Sequence, residues 1–473
     1  MAILERAIDI FLNNISVFIF YPLLFLLIYL NRKKFEFPAK FVALYKTKIG
    51  INLMWRIVKH RPHAWLGTIL LTMSFPFLLA GVIAISPHLL SQAAPSLFGW
   101  ITYSQSFLSL LNTVLAIAFT IYLAGLLFRP IETAAKQGII VAYTGMILIV
   151  LTLLAGLWTL IFEPEAPATV GLLIPGVKIP GNPLFIPFWQ GIVALFLVVV
   201  IHEFCHGIVS KAHGVPIKNT GFGIMAILPL FFVEPDEKKL AKKSRTVQNS
   251  VFAAGPYSNL LTAGLVILLS VSLFAPAYDR VLDNTIDKKG VIFEEVKENY
   301  PAKDAGVLEG ELYTSLNGKP ISSIQDFYDA VKDLKPGETI TLESESLTHT
   351  ITLTEHPDIP GRGFLGVVTD QDVTHYISSG RLPFFIYVLE WIAELLLLIV
   401  LLSIGLGLGN LLPLGPVDGG RIFLATLSAL VPEKRAKLIW TKVSLFILAL
   451  LAVLLFVPII KGIWQEWVLP FLV

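Results

Sequence analysis

One cysteine, Cys205, stands in the 473 residues, so no disulfide can form within the chain and a metal held mainly by thiolates is excluded. Charge is scarce: only 15% of residues are Asp, Glu, Lys or Arg, against roughly 25% in an ordinary soluble domain. The two signs nearly cancel, leaving +2, which gives no electrostatic reason to expect nucleic acid or an acidic partner. Repeats and low-complexity tracts are absent. The first residues include Glu5, Arg6 and Asp9 in place of a basic cluster, and no small-residue cleavage site follows. The first apolar run therefore reads as a retained span and not as a removed leader.

What the chain has in quantity is apolar sequence, at 55% hydrophobic residues. Runs long enough to cross a hydrocarbon layer of about 30 Å lie near 15–30, 64–86, 107–128, 138–162, 190–210, 250–275, 384–409 and 438–460. About eight transmembrane helices are expected, the first short and interrupted by Tyr21-Pro22. Lysine and arginine collect between the first two runs, from Arg32 to Arg61, and again at Arg129 and Lys136, at Lys238 to Arg245, and at Lys434, Arg435 and Lys437. Pro87 to Ser106 holds no charged residue. Because short cytoplasmic loops retain basic residues, these clusters fall on the cytoplasmic side, with both termini outside.

Two segments depart from the pattern of simple spans. Thr220 to Val233 (TGFGIMAILPLFFV) is apolar but too short to cross, carries Gly221 and Gly223, and is broken by Pro229, so it reads as a re-entrant hairpin or loop whose backbone must be paired or buried. Gly221 to Val233 is a candidate sheet edge that holds an unwound substrate strand, with Gly221 and Gly223 as candidate substrate-binding or support residues. From Leu282 to Asp370 hydrophobicity drops and short β-type runs alternate with turn signals such as Asn317-Gly318 and Pro336-Gly337, while Ile324 to Leu334 has helical apolar spacing. This predicts a small water-soluble α/β insert of about 90 residues, enough for one core.

The chemistry concentrates in VVVIHEFCHGIVSK. On a helix His202 and His206 lie one turn apart on one face, so both imidazoles can bind a single zinc ion while Glu203 reaches a water beside it. Ionisable side chains inside an apolar run are expensive and usually functional, which outweighs the reading of a few polar residues packed in a bundle. A catalytic zinc needs a third protein ligand. Asp418, among Pro413, Pro416, Gly419 and Gly420, is the best candidate, with a turn or helix-cap aspartate as the bland reading. Cys205 points off the shared face and reads as packing, and His213 as a helix-end residue. Glu390 and Glu394 could line a water path or pair at the surface. Lys238 to Arg245 reads as a solvated loop near anionic lipid.

HEFCH (His202 to His206), GPYSN (Gly255 to Asn259) and NLLPLGPVDGG (Asn410 to Gly420) together resemble the site-2 protease family of intramembrane zinc metalloproteases. The resemblance covers roughly residues 190–275 and 384–435. It implies His202, His206 and Asp418 as zinc ligands and Glu203 as general base, with Asn259, Gly255, Pro256 and Asn410 in support. The run NYPAKDAGVLEGELYTSLNGKPI (Asn299 to Ile321) is similar to protease-associated PDZ domains, with RGFLGV (Arg362 to Val367) as its peptide-binding loop and strand.

The resulting expectation is a polytopic α-helical membrane protein with one re-entrant segment and an inserted PDZ-like domain. An N-terminal membrane region would span 1–180, the catalytic core 181–280 and 373–473, and the insert 281–372. The implied partners are a transmembrane protein substrate, the lipid bilayer and a peptide C-terminus at the insert, in a prokaryotic plasma (inner) membrane, with the insert outside and the active site toward the cytoplasm. A transporter or channel, or a PDZ-bearing scaffold with an inactive metal site, are the alternatives. The first predicts two related halves with interrupted spans, which the sequence lacks; the second leaves an intact ligand set unexplained.

Overall fold

The computed structural model describes residues 15–39, 42–59, 114–125 except 116, 131–163, 168–225 except 183, 228–285, 290–369 except 323, 345–346 and 358–360, and 384–465. Internal contacts divide the chain into two units, Met1–Leu269 with Ala393–Val473, and Ser270–Ile392.

Among the described residues, five helical stretches are long and apolar enough to cross a membrane: Ala134–Phe162, Phe188–Ala212, Arg245–Leu282, Phe384–Asn410 and Glu433–Ile463. These fall on five of the eight expected spans. The run near 15–30 is a shorter helix, α1 (Ile15–Leu30), with Pro22 inside it. The run at 64–86 lies outside the described residues, and of 107–128 the structure describes a helix over 117–125.

In the first unit, α1 leads through strands β1 (Glu36–Ala39) and β2 (Val42–Thr47) to α2 (Ile51–Lys59). Helices α3 (Ile131–Phe162) and α4 (Phe188–Ala212) follow, then β3 (Ile217–Met225) and β4 (Leu228–Pro235), the short α5 (Glu237–Ala241) and α6 (Arg245–Leu269). Small residues bring the helices close. Ala135 and Ile131 of α3 pack with Val209 of α4 and with Val251 and Ala254 of α6. Ala142 and Met146 of α3 meet Ala253 of α6, which centres α6 in the bundle.

The segment expected to be re-entrant is a hairpin. β3 and β4 pair antiparallel from Ile217↔Pro235 to Met225↔Leu228. β3 also pairs with β2, from Val42↔Met225 to Thr47↔Thr220, so the sheet runs β1-β2-β3-β4. The stretch Arg32 to Arg61, read from its lysines as a plain loop, therefore contributes two strands. Its aromatics supply the cross-strand contact: the rings of Tyr45 and Phe222, opposite each other in the register, are 5.1 Å apart. A four-stranded sheet pairs backbone groups that a loop at membrane depth would leave unbonded.

The second unit carries α7 (Ala275–Thr285) and then β5 (Val291–Val296), α8 (Pro301–Asp304), β6 (Leu312–Leu316), β7 (Lys319–Pro320) and α9 (Ile324–Val331). β8 (Thr339–Ser344), β9 (Thr348–Thr352), β10 (Thr354–Glu355), β11 (Gly363–Phe364) and β12 (Val367–Thr369) complete it. Its main sheet is six-stranded, ordered β12-β5-β6-β8-β9 with β7 beside β6, all antiparallel. Alternate residues of β9 are buried, Phe293, Tyr313, Ile340, Leu342 and Ile351 form the core, and Phe327 and Val331 bring α9 onto it. Asn317 and Gly318 both take positive φ between β6 and β7, the turn their sequence favours.

Among the described residues, three helices follow: α10 (Phe384–Asn410), which crosses the boundary between the units, and α11 (Asp418–Leu430) and α12 (Glu433–Ile463), both in the first unit. Leu398 and Leu402 of α10 pack on Ala194 and Val198 of α4, and Leu450 and Leu454 of α12 on Leu153 of α3.

Leu342 is fully buried in the core of the second unit. Leu342→Ala is expected to destabilise that unit by about 2–5 kcal/mol, whereas Thr350→Ala, exposed on β9, should stay within about 0.5 kcal/mol. Amide hydrogen exchange of β6, β8 and β9 in the full-length protein checks both.

Candidate metal centre

α4 sets His202 and His206 four residues apart, and the side chains of such a pair lie on one helix face. Both are buried, 4% and 8% exposed, in a helix that otherwise reads as apolar. Asp418 arrives from the far end of the sequence as the first residue of α11. Its Oδ2 is 3.2 Å from Nε2 of His202 and 3.2 Å from Nε2 of His206, and the two Nε2 atoms are 3.2 Å apart. Three donors thus form an equilateral triangle. Zinc–ligand bonds of about 2.0–2.1 Å in tetrahedral geometry put neighbouring donors about 3.3 Å apart, so this set fits a single ion of that kind. Among the described residues it is also the group of three His, Cys, Asp or Glu whose donor atoms converge closely enough to hold a metal.

The turn after α10 explains how Asp418 reaches the histidines. Leu411 and Leu412 fold back on Leu408 and Gly409 through backbone hydrogen bonds, and Gly415 N–H donates to Ser444 Oγ at 3.0 Å. A side chain at Gly419 or Gly420 would overlap the backbone of Leu411, Leu412 or Leu414, so the two glycines allow α11 to begin against that turn. Trp440 Nε1–H donates to the Gly420 carbonyl at 2.9 Å and ties α12 to the same point.

α6 supplies the ring contacts behind the donors. His206 Nδ1 lies 2.7 Å from the Val251 carbonyl, an acceptor, which leaves the Nε2 lone pair facing the cluster. His202 Nδ1 lies 3.0 Å from Nδ2 of the fully buried Asn259. Gly255 sits against both rings, and an added Cβ would overlap Nε2 of each. Pro256 has no N–H and so leaves the carbonyl four residues before it without its helical donor, one turn from the ring contacts.

Glu203 follows His202 on α4, and its Oε2 accepts the Val233 N–H of β4 at 3.1 Å. Glu203, both histidines, Asp418, Phe231, Val233, Asn410 and Arg421 all line one cavity of about 820 Å³. Asn410 stands at the end of α10 on the cavity wall, its Nδ2 donating to Leu406 O at 3.0 Å.

Gly221 and Gly223 stand elsewhere. Both lie on β3, paired on one side with β2 and on the other with β4, so they offer no open sheet edge. β4 is the outer strand at this end of the sheet, with β1 at the other, because β2 occupies the far side of β3. Cys205 is half-buried and not part of the donor cluster, His213 is the C-cap of α4, and Glu394 accepts from Gln190 Nε2 at 2.8 Å. The basic stretch from Lys238 forms α5, capped by Asp236, and the start of α6.

Sequence reasoning missed Val251 and Val233, which act through backbone groups that every residue possesses. It missed also the polar ties from α3: Tyr143 Oη contacts Thr426 Oγ1 of α11 and accepts from Asn249 Nδ2 of α6 at 3.1 Å. Tyr122 Oη, in the helix over 117–125, donates to Gln137 at 3.0 Å and contacts Tyr257 of α6.

The model of peptidase family M50 matches residues 190–451, more than half of the chain and all of the elements that build the triangle. The chain belongs to peptidase family M50. Among similar proteins, the uncharacterized protein MJ0971 of Methanocaldococcus jannaschii is 30% identical over 263 residues, 54% of this chain and 61% of that protein. The zinc metalloprotease RasP of Shouchella clausii is 28% identical over 239 residues, 41% of this chain and 54% of that protein. The chain thus spans between about half and three fifths of the length of these relatives. Among solved structures, the PDZ domain of the SdrC-like protein of Listeria monocytogenes aligns at 26% identity over 19% of this chain and 95% of that one, with a TM-score of 0.16.

The crowding at Gly255 makes a sharp test. Gly255→Ala is expected to push the imidazoles apart and weaken metal retention at least about tenfold. Gly405→Ala, on α10 with open space where its Cβ would stand, should leave it unchanged; elemental analysis of the purified proteins after dialysis decides.

Proposed function

We propose that the protein is an intramembrane zinc metalloendopeptidase that hydrolyses peptide bonds in or near transmembrane segments of membrane proteins, with His202, His206 and Asp418 as ligands and Glu203 as general base. The observation that carries this reading is the 3.2 Å triangle of two imidazole nitrogens and a carboxylate oxygen, buried among apolar helices with Glu203 on the same cavity wall. Family membership supports it.

His202, His206 and Asp418 would hold zinc, which when bound would supply Lewis acidity toward water and a peptide carbonyl. Glu203 takes the proton from the attacking water on its carboxylate and returns it to the leaving amine nitrogen. His206, with Nδ1 committed to the Val251 carbonyl, keeps its orientation through both steps. The presence of Asn410 on the cavity wall supports a role in steadying a substrate carbonyl with its second amide hydrogen. Phe231, Leu230 and Val417 give that cavity apolar walls suited to a membrane-derived chain.

A helical substrate has its peptide bonds hydrogen-bonded internally and must unwind before it can be cut. β4 is the terminal strand of its sheet, and the Val233 N–H turns toward Glu203 and away from β3. Backbone groups alternate along a strand, so the N–H of Phe231 faces the same side. An extended substrate segment pairing there lies beside the donors. The basic clusters support an orientation with the site toward the cytoplasm and the insert outside. The PDZ-like sequence of the insert supports capture of a peptide C-terminus, with β12 as the end strand of its sheet.

Glu203→Gln is expected to keep about one zinc per chain while cleavage of a transmembrane substrate falls by about 10²–10⁴-fold; full cleavage by this variant removes the base assignment, and a zinc-free wild-type protein removes the enzyme reading in favour of an inactive scaffold. Phe231→Pro, which deletes one edge N–H, should lower kcat/KM at least about tenfold with zinc content unchanged, measured on the same substrate in reconstituted vesicles.

A further inference from the structure

His202 faces the donor triangle through Nε2, and its other ring nitrogen faces a single side chain, Asn259. With Nδ2 of Asn259 3.0 Å from Nδ1, the amide donates and the ring nitrogen accepts. A neutral imidazole that accepts at Nδ1 carries its proton on Nε2, pointed at His206 and Asp418. Such a ring has no lone pair to give an ion. In the same orientation Asn259 Oδ1 is buried and without a hydrogen-bond partner.

Half a turn of the amide about its last bond exchanges the two groups. Oδ1 then accepts Nδ1–H, and the Nε2 lone pair turns to the centre of the triangle. The number of hydrogen bonds to the ring is the same in both orientations, so the exchange costs little. His206 already has the second arrangement, its Nδ1 set against the Val251 carbonyl. A carbonyl cannot reverse its polarity; an amide can. Asn259 is fully buried, is not among the residues lining the cavity, and stands behind His202 on α6, which places it against the ring and away from a substrate.

We propose that Asn259 is a positioning residue that fixes His202 in its metal-binding tautomer by accepting Nδ1–H through Oδ1. The inference rests on the reading of His202, His206 and Asp418 as a zinc site and deepens it.

The test uses the full-length protein in detergent, as wild type, Asn259→Asp, Asn259→Leu and Asn259→Ala, with zinc content after dialysis and the rate of zinc transfer to a chelator as readouts. Asn259→Leu, near in size but unable to accept, is expected to release zinc about 10–100-fold faster. Asn259→Asp keeps an acceptor toward Nδ1–H and should release it at the wild-type rate or more slowly. The visible spectrum of the cobalt-loaded protein should match wild type for Asp and change for Leu. Asn259→Ala repeats the Leu measurement should the larger residue not fold. Wild-type release from both Leu and Ala, or equal acceleration in Asp, Leu and Ala, overturns the proposal. Asp418→Ala separates the two levels: wild-type zinc content in that variant means that the triangle is not the metal site at all, whereas zinc lost there and kept in Asn259→Leu refutes only the role of Asn259.

Discussion

Two imidazole nitrogens and a carboxylate oxygen held 3.2 Å from one another, inside a bundle of apolar helices, set the constraint on which the first unit depends. Three electron-pair donors at that spacing are not stable as neighbours without a cation or a shared proton between them, and burial removes the water that would otherwise spread their charge. The packing must therefore supply the closeness. It does so by removing side chains where helices meet: Gly255 against the rings, Gly419 and Gly420 against the turn at Leu411 to Leu414, and Ala253 and Ala254 where α6 passes α3 and α4. Small residues at these contacts are what allow polar groups from distant parts of the chain to touch.

The same constraint accounts for the sheet beside the site. A carboxylate acting as base, the role proposed for Glu203, needs one side open to water and substrate, so that side of the cavity cannot be another close-packed helix. A strand edge meets that need, since its backbone is paired on one side and available on the other. Here Glu203 itself takes the outward N–H of Val233, which keeps a buried amide and a carboxylate both satisfied. A substrate segment that paired with β4 would exchange one acceptor for another at that amide, leaving the carboxylate free for the proton. The hairpin is thus a backbone device as much as a scaffold.

How much of this was readable in advance follows from which atoms carry each contact. The HEFCH spacing was legible because two side chains at i and i+4 must share a face. Asp418, 212 residues beyond His206, was legible only as an acid among glycines and prolines and through the resemblance of its motif; no periodicity reaches across the second unit. The strands of Glu36 to Thr47 were hidden because the basic residues spread from Arg32 to Arg61 mark the whole stretch as a cytoplasmic loop, although Phe37, Val42, Leu44 and Tyr45 supply the apolar β pattern. The edge was expected within Gly221 to Val233, and inside that segment it falls on β4 and not at Gly221 or Gly223, because β2, whose pairing no local signal announced, already covers β3. Val251 and Val233 left no trace, since a carbonyl and an amide look the same at every position.

The helices before residue 190 lie outside the family match, yet the polar contacts show what one of them does. Tyr143 of α3 joins Asn249 of α6 and Thr426 of α11, and Gln137 of α3 reaches Tyr257 of α6 through Tyr122. Asn249 and Tyr257 stand two residues from Val251 and from Asn259, the groups that face Nδ1 of His206 and of His202. α11 begins with Asp418. A shift of α3 along its axis would therefore move the second contact of each histidine and the carboxylate together, whereas apolar packing alone would let the helices slide with little change in energy. Hydrogen bonds between helices fix position where lipid-like surfaces cannot. α3 is thus bonded through side chains to α6 and α11, the two helices that carry Val251, Asn259 and Asp418.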